Sequence, residues 1–208
     1  MNQDLIRNVM FDLGVVLVHL EYESARERCL TYCDPRRIGK AADFLRLLGR
    51  SPVVDAYERG ELTAREFYRY FVEHTGFSGG FETFVEIWRS IFRENEPMIE
   101  FGRELSARYP IYFMTNASDL HVPWIFSRFP RLAFFRDVAC SCYLRAAKPD
   151  PEYYRRALAQ FGVGAGESLF IDDRPENIEG ARALGFRCVL YQSPEQTIAD
   201  VRAMLIGA

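Results

Sequence analysis

Lysine is almost missing from this chain. Of its 26 basic residues only Lys40 and Lys148 are lysines, and every other one is arginine. Histidine is scarce as well, with three in 208 residues. No apolar run approaches the ~18 residues that a bilayer-spanning helix needs, and the opening MNQDLIRN has no apolar signal-peptide core, so neither a membrane anchor nor a leader is expected. An excess of positive charge is also lacking. The formal net charge is -3, which gives no electrostatic basis for general binding to nucleic acid or to an anionic membrane. The five cysteines never fall in a CxxC pair and have no histidine in zinc-ligand spacing, so a structural zinc site is not expected. Reduced thiols in a cytoplasmic protein are the simplest reading. Cys29 and Cys33, four apart, are expected to act as packing residues.

What is present is enough apolar sequence for one substantial core, or for one core with a small accessory module, since 49% of the residues are hydrophobic and 14% aromatic. The chain is organised around residues 9–19, VMFDLGVVLVH. A short apolar run ends in Asp12, Gly14 follows, and a second apolar run covers Val15 to Val18. Residues 7–13 are predicted to form a first strand buried on both faces, because the apolar pattern is continuous rather than alternating. An acid inside such sequence is costly to bury without a positive partner. Two readings of Asp12 stand at this point. It is either a core acid that bonds nearby backbone, or a nucleophilic carboxylate displayed at the carboxyl end of a buried parallel strand.

Residues 21–93 are charged and amphipathic, with helix signals throughout. Ser51-Pro52 reads as an N-cap followed by proline at the first helical position. Thr63-x-x-Glu66 is a capping box, and Gly60 and Gly76 are expected to end helices. Phe81, Phe84, Val85, Trp88, Ile91 and Phe92 are expected to share one face of a last helix. Their aromatic stripe is read as bundle core rather than a ligand box. Beyond Glu96-Pro97 helices and strands alternate. Strands are predicted at 111–114, 138–143, 168–171 and 187–191, with helices at 99–109, 120–129, from Asp150-Pro151, at 175–184 and at 194–205. This pattern predicts an α/β fold: a doubly wound, Rossmann-like parallel sheet built from residues 1–20 and 94–208, with a small helical cap domain, residues 21–93, inserted after the first strand.

The polar residues fall at strand ends: Asp12, Thr115-Asn116, Asp172-Asp173, and Lys148 in a loop after its strand. A parallel sheet gathers them along one edge, where ligands bind in such folds. Three carboxylates at one point repel one another and raise one another's pKa. A divalent cation removes that conflict, and hard oxygen ligands with open positions suit Mg²⁺. Helix capping before Pro175 is expected to account for one acid of the late pair, and not for both.

The motifs FDLG (Phe11 to Gly14), MTN (Met114 to Asn116), AKPDPEYY (Ala147 to Tyr154) and FIDDRPENIEGARALGF (Phe170 to Phe186), in that order and spacing, resemble those of the haloacid-dehalogenase-like (HAD) superfamily of phosphohydrolases over the whole chain. The FDLG variant, the cap length and the DDxPEN form resemble the branch that holds bacterial α-D-glucose-1-phosphate phosphatases. The resemblance implies that Asp12 attacks phosphorus and forms an aspartyl-phosphate, that Thr115 and backbone N–H groups near Asn116 bind phosphoryl oxygens, and that Lys148 neutralises phosphoryl charge while holding Asp12. It also implies that Asp12, the Gly14 carbonyl, Asp172 and Asp173 hold Mg²⁺, with Asn177 supporting them. The implied substrate is a small phosphate ester.

One position departs from the family. Gly14 stands where most of its phosphatases carry a second aspartate as general acid and base, and glycine moves no proton. Either the enzyme favours good leaving groups, or His19 or Glu21 reaches the leaving oxygen. Two other readings are a 2-haloacid dehalogenase, in which Asp12 attacks carbon and the late acid pair has no task, and a binding or regulatory protein on the same fold. Oligomeric state is not legible.

Overall fold

The computed structural model describes residues 5–38 and 51–206, so part of the expected cap, residues 39–50, lies outside the described residues. The chain enters at β1 (Asn8–Phe11), which is buried throughout. It is shorter than the predicted 7–13 because the backbone turns at once. The N–H groups of Leu17 and Val18 both donate to the Leu13 carbonyl, at 3.0 and 2.9 Å. Val15 sits in this turn at φ 62, a left-handed conformation that a β-branched side chain resists at a cost of about 1–3 kcal/mol. The turn carries the second apolar run out of the sheet into β2 (Val18–Leu20).

Four described helices follow before the chain returns. They are α1 (Tyr22–Leu30), α2 (Pro52–Glu58), α3 (Ala64–Thr75) and α4 (Phe81–Arg89). Their ends are set locally as the sequence implies. Ser51 Oγ accepts from the Val54 N–H, the Thr63–Glu66 capping box is complete, and Gly76 closes α3 in the left-handed region. Tyr57, Phe67, Phe71, Phe84 and Trp88 pack with Cys29 and Cys33 into one aromatic cluster, so the stripe is core and the two thiols are packing residues. The last cap helix is shorter than expected. It stops at Arg89, and Phe92 belongs to β3 (Phe92–Glu94), which pairs antiparallel with β2 and sets His19 opposite Arg93. The ladder with β2 captures backbone that the apolar spacing alone assigned to a helix.

The remaining elements alternate: α5 (Glu96–Ser106), β4 (Ile111–Thr115), α6 (His121–Arg128), β5 (Asp137–Cys140), the short α7 (Ser141–Leu144), α8 (Pro151–Phe161), β6 (Ser168–Asp172), α9 (Pro175–Arg182), β7 (Arg187–Leu190) and α10 (Pro194–Ile206). The predicted strand 138–143 ends early because the Ser141 hydroxyl is drawn into contacts with Ala117 and Glu58. The five-stranded sheet is parallel, in the order β5-β4-β1-β6-β7. Both faces are covered. Val9, Phe11, Phe113 and Ile171 face a core shared with α5 and α10, while Met10, Met114 and Phe170 face one shared with α8 and α9. The fold is thus the expected doubly wound α/β sheet with a smaller cap. The chain winds first to one side of β1 and then to the other, which places a topological switch point, the usual ligand position, at the carboxyl end of β1.

The cap is fastened to the sheet layer by a few polar contacts. The Tyr57 hydroxyl donates to Asp119 at 2.6 Å, and Ser141 donates to the Glu58 carbonyl at 2.5 Å. Gly60 is required at this seam. Its φ is 70, and a Cβ there would stand 2.3 Å from the Cys142 carbonyl oxygen. His121, buried at the start of α6, donates from Nε2 to the Trp88 carbonyl at 3.1 Å and stacks on the Trp88 ring. Burial lowers its pKa from 6.5 to about 4. The folded state therefore prefers the neutral ring, whereas the unfolded chain takes up a proton below pH 6.5. Stability contributed by this site is intact above pH 6.5 and falls as the pH drops toward 4, by about 3 kcal/mol in all at 1.36 kcal/mol per unit. Thermal melts between pH 7 and pH 4.5 should show this loss, and His121→Gln should flatten it.

Candidate active site

Three neighbouring strands deliver the polar residues. Asp12 follows β1, Thr115 ends β4 and Asp172 ends β6, so parallel pairing alone brings them to one edge. Lys148 arrives from the loop after α7. Its position is fixed by Asn116, whose side-chain N–H donates to the Lys148 carbonyl and whose Oδ1 accepts the Lys148 N–H, both at 2.9 Å. The Lys148 ammonium is buried and uses all three donors. It meets Asp12 Oδ1 at 2.9 Å, Asp172 Oδ2 at 2.7 Å and the Met114 carbonyl at 2.7 Å. Burial pulls its pKa down, but Asp12 and Asp172 more than offset this and raise it. A rigid guanidinium fork does not reproduce three such divergent bonds, which gives a reason for a lysine in an arginine-rich chain.

Asp12 is buried, and its carboxyl is pushed up, first by burial and then by Asp172 and Asp173, with Lys148 pulling it down. Both hydrogen bonds to its side chain, from Lys148 and from the Leu13 N–H at 2.7 Å, fall on Oδ1. Among the described residues Oδ2 accepts none. Asp172 is fully buried. Oδ1 accepts from the Arg174 N–H and Asn177, both at 2.9 Å, and Oδ2 accepts from Lys148 and, at 3.0 Å, from Asn177. Asp173 is half-buried and lines the cleft, and burial with the Asp172 charge pushes its carboxyl up. The expected helix cap is not made by either side chain on the first turn of α9. The N-cap residue is Arg174, with no side-chain cap, and Asp172 instead holds the turn through Arg174 and Asn177.

A cleft of about 490 Å³ opens over these groups, within the range of small-molecule sites. Asp12, Gly14, Thr115, Asn116, Lys148 and Asp173 form its floor, and Tyr22, Asp55 and Glu58 reach it from the cap. His19 and Glu21 are not among its lining. Glu21 is held by Arg93 at 2.5 Å on an exposed surface. The sequence pointed to neither Asp55 nor Glu58, because the cap carries many acids at helical spacing and nothing local marks the two that face the sheet.

Ligand oxygens of Asp12, Asp172 and Asp173 lie within 4.8 Å of one another. Three carboxylates face the Lys148 ammonium, while the Arg174 guanidinium is paired with Glu176, and among the described residues the Asn177 Oδ1 is buried with no hydrogen-bond partner while its amide N–H₂ is committed to Asp172. Surplus negative charge and an unsatisfied oxygen acceptor at one point fit a hard divalent cation with its bound water.

An acid cluster under a helical cap, on the carboxyl edge of a doubly wound sheet, defines a capped α/β enzyme that handles an anionic group. The model of the haloacid dehalogenase-like hydrolases matches residues 9–185, and the chain belongs to that family of hydrolases. The D-ribitol-5-phosphate phosphatase of Bacteroides thetaiotaomicron is 25% identical over 191 residues, 88% of this chain and 90% of that protein. A HAD family enzyme from the same organism, solved in complex with magnesium and inorganic phosphate, has a TM-score of 0.76 at 23% identity and covers 90% of this chain and 94% of its own. A HAD-like family hydrolase from Porphyromonas gingivalis has a TM-score of 0.79 at 24% identity, covering 97% and 98%. At these identities the two structures speak to the fold.

Proposed function

We propose that the chain is a Mg²⁺-dependent phosphatase that hydrolyses a small phosphorylated metabolite of the sugar-phosphate type through an aspartyl-phosphate on Asp12. The observation that carries this reading is the cluster itself, three acids within 4.8 Å and one saturated lysine on the cleft floor. Asp12 is the nucleophile, through Oδ2, which accepts no hydrogen bond among the described residues. Thr115 and the main chain at Asn116 hold phosphoryl oxygens. Lys148 orients Asp12 and balances charge. Asp12, Asp172, Asp173 and the Gly14 carbonyl would hold the cation, which would supply positive charge to the phosphoryl group. Positioning and charge neutralisation are the main requirements of phosphoryl transfer.

The catalytic unit is residues 1–20 and 94–208, and residues 21–93 form the cap that selects the substrate. Tyr22 and Asp55 at the cleft mouth offer a phenol and a carboxylate to the hydroxyls of a sugar or polyol. The named activity of the Bacteroides relative on D-ribitol 5-phosphate supports that substrate class, and the FDLG and DDxPEN motifs support the α-D-glucose-1-phosphate phosphatase-type branch. Carbon–halogen chemistry at Asp12 gives Asp172 and Asp173 no cation to hold. A panel of sugar 1-phosphates, polyol phosphates, p-nitrophenyl phosphate and 2-haloacids, assayed with Mg²⁺, tests the assignment. A sugar or polyol phosphate is expected to give the highest kcat/KM. Chloride release from haloacids with no phosphate release from any ester would overturn it.

A further inference from the structure

The phosphatase reading leaves one proton unassigned. When the ester bond breaks, the departing oxygen needs a proton, and Gly14 has none to give. A Cβ built on Gly14 meets nothing within 4 Å, so the space above that residue is open cleft rather than packed protein. The floor groups are committed: Lys148 donates to three partners, and Asp172 accepts from three groups. Arg174 is engaged by Glu176. Of the two cap acids that reach the cleft, Asp55 is exposed and Glu58, on the last turn of α2, is the more buried, lining the same cleft as Asp12 and Gly14.

Glu58 is held in place on both sides. Its own carbonyl accepts the Ser141 hydroxyl, and the preceding Tyr57 hydroxyl donates to Asp119. Both partners belong to the sheet layer, so the seam that docks the cap also fixes the backbone that carries Glu58 at the cleft. Two residues later Gly60 lets the backbones close to contact at Cys142.

We propose that Glu58 is the proton-transfer residue of the reaction, supplied by the cap in place of an acid at position 14. This rests on the phosphatase reading above. In the first step an Asp12 oxygen bonds to phosphorus, the P–O bond to the alcohol breaks, and the Glu58 carboxyl gives its proton to the leaving oxygen. In the second step a water oxygen bonds to phosphorus, its proton goes to the Glu58 carboxylate, and the Asp12–phosphorus bond breaks to release inorganic phosphate. Glu58 ends protonated and Asp12 ionised, as they began.

The surroundings support the protonated starting form. Asp55 on its own helix, Asp12 after β1 and Cys140 at the end of β5 face Glu58, with Arg174 after β6 opposing them. Burial first, then Asp55, pushes the Glu58 carboxyl up to about 8, so it holds a proton at neutral pH and can still release one.

The test measures kcat/KM with Mg²⁺ for phosphate esters of graded leaving-group pKa, from dinitrophenyl to alkyl, in the wild type and in Glu58→Gln. The wild type is expected to be nearly insensitive to the leaving group. The variant is expected to lose ~10²–10⁴-fold on alkyl phosphates, to stay within a few-fold on dinitrophenyl phosphate, and to lack the fall in alkyl-ester activity expected of the wild type above about pH 8. Equal slowing on every ester would make Glu58 a binding or positioning group and overturn the proposal. If the variant does not fold, the wild-type dependence decides, and a steep one overturns the proposal. An Asp12→Asn control separates the two levels, because turnover surviving there sinks the phosphatase reading itself.

Discussion

Asp12→Asn is expected to lower phosphate-ester turnover by ~10⁴–10⁶-fold, the scale on which hydrolases lose activity with their nucleophile, without a lower melting temperature in metal-free protein. The two effects have separate causes. Activity goes because an amide oxygen does not form the acyl phosphate on which the second step depends. Stability holds because the substitution keeps the shape and the Oδ1 acceptor that meets Lys148 at 2.9 Å and the Leu13 N–H at 2.7 Å. It also removes one of three clustered acids. Burial and the neighbouring acids raise the Asp12 carboxyl above its unfolded value. The unfolded chain therefore gives up this proton at a lower pH than the folded one, and metal-free stability falls as pH rises through that window. The asparagine variant should lack that fall. A rate assay beside chelator-treated melts at pH 4.5 and pH 7.5 checks both halves. A variant that keeps turnover contradicts the nucleophile, and one that melts far lower contradicts the electrostatic picture.

Much of this arrangement is legible in the sequence because it rests on local physics. A strand buried on both faces needs an unbroken apolar run, and residues 9–11, 111–114 and 169–171 have one. Ser51, Thr63 and Asp150 cap helices because their side-chain oxygens meet free N–H groups nearby, and all three do so in the structure. Parallel pairing then carries Asp12, Thr115 and Asp172 to one edge. The features that stay hidden depend on distant partners. Phe92 has helical spacing from Trp88, yet pairing with Leu20 makes it a strand residue. Val15, which sits in an unfavourable left-handed turn, has nothing in its identity to announce it. Asp172 reads as a helix cap until Asn177 and Lys148 are seen to occupy both of its oxygens. Glu58 is one acid among many until the cap is docked.

Removing the divalent cation is expected to stop the enzyme. Asp12, Asp172 and Asp173 bring three negative charges within 4.8 Å of one another against the one ammonium of Lys148, and a phosphate ester adds more. With no cation the floor of the cleft repels its substrate, and the Asn177 Oδ1 stays buried without a partner. A Lewis-acid cation is worth several kcal/mol of charge stabilisation, which converts to about 10³-fold or more in rate. The most direct test follows hydrolysis of the best phosphate ester in EDTA and then with Mg²⁺ titrated back into the same sample. The expected result is turnover that is undetectable in EDTA and returns saturably with Mg²⁺. An unchanged rate in EDTA would contradict a cation-bound phosphoryl group at this acid cluster.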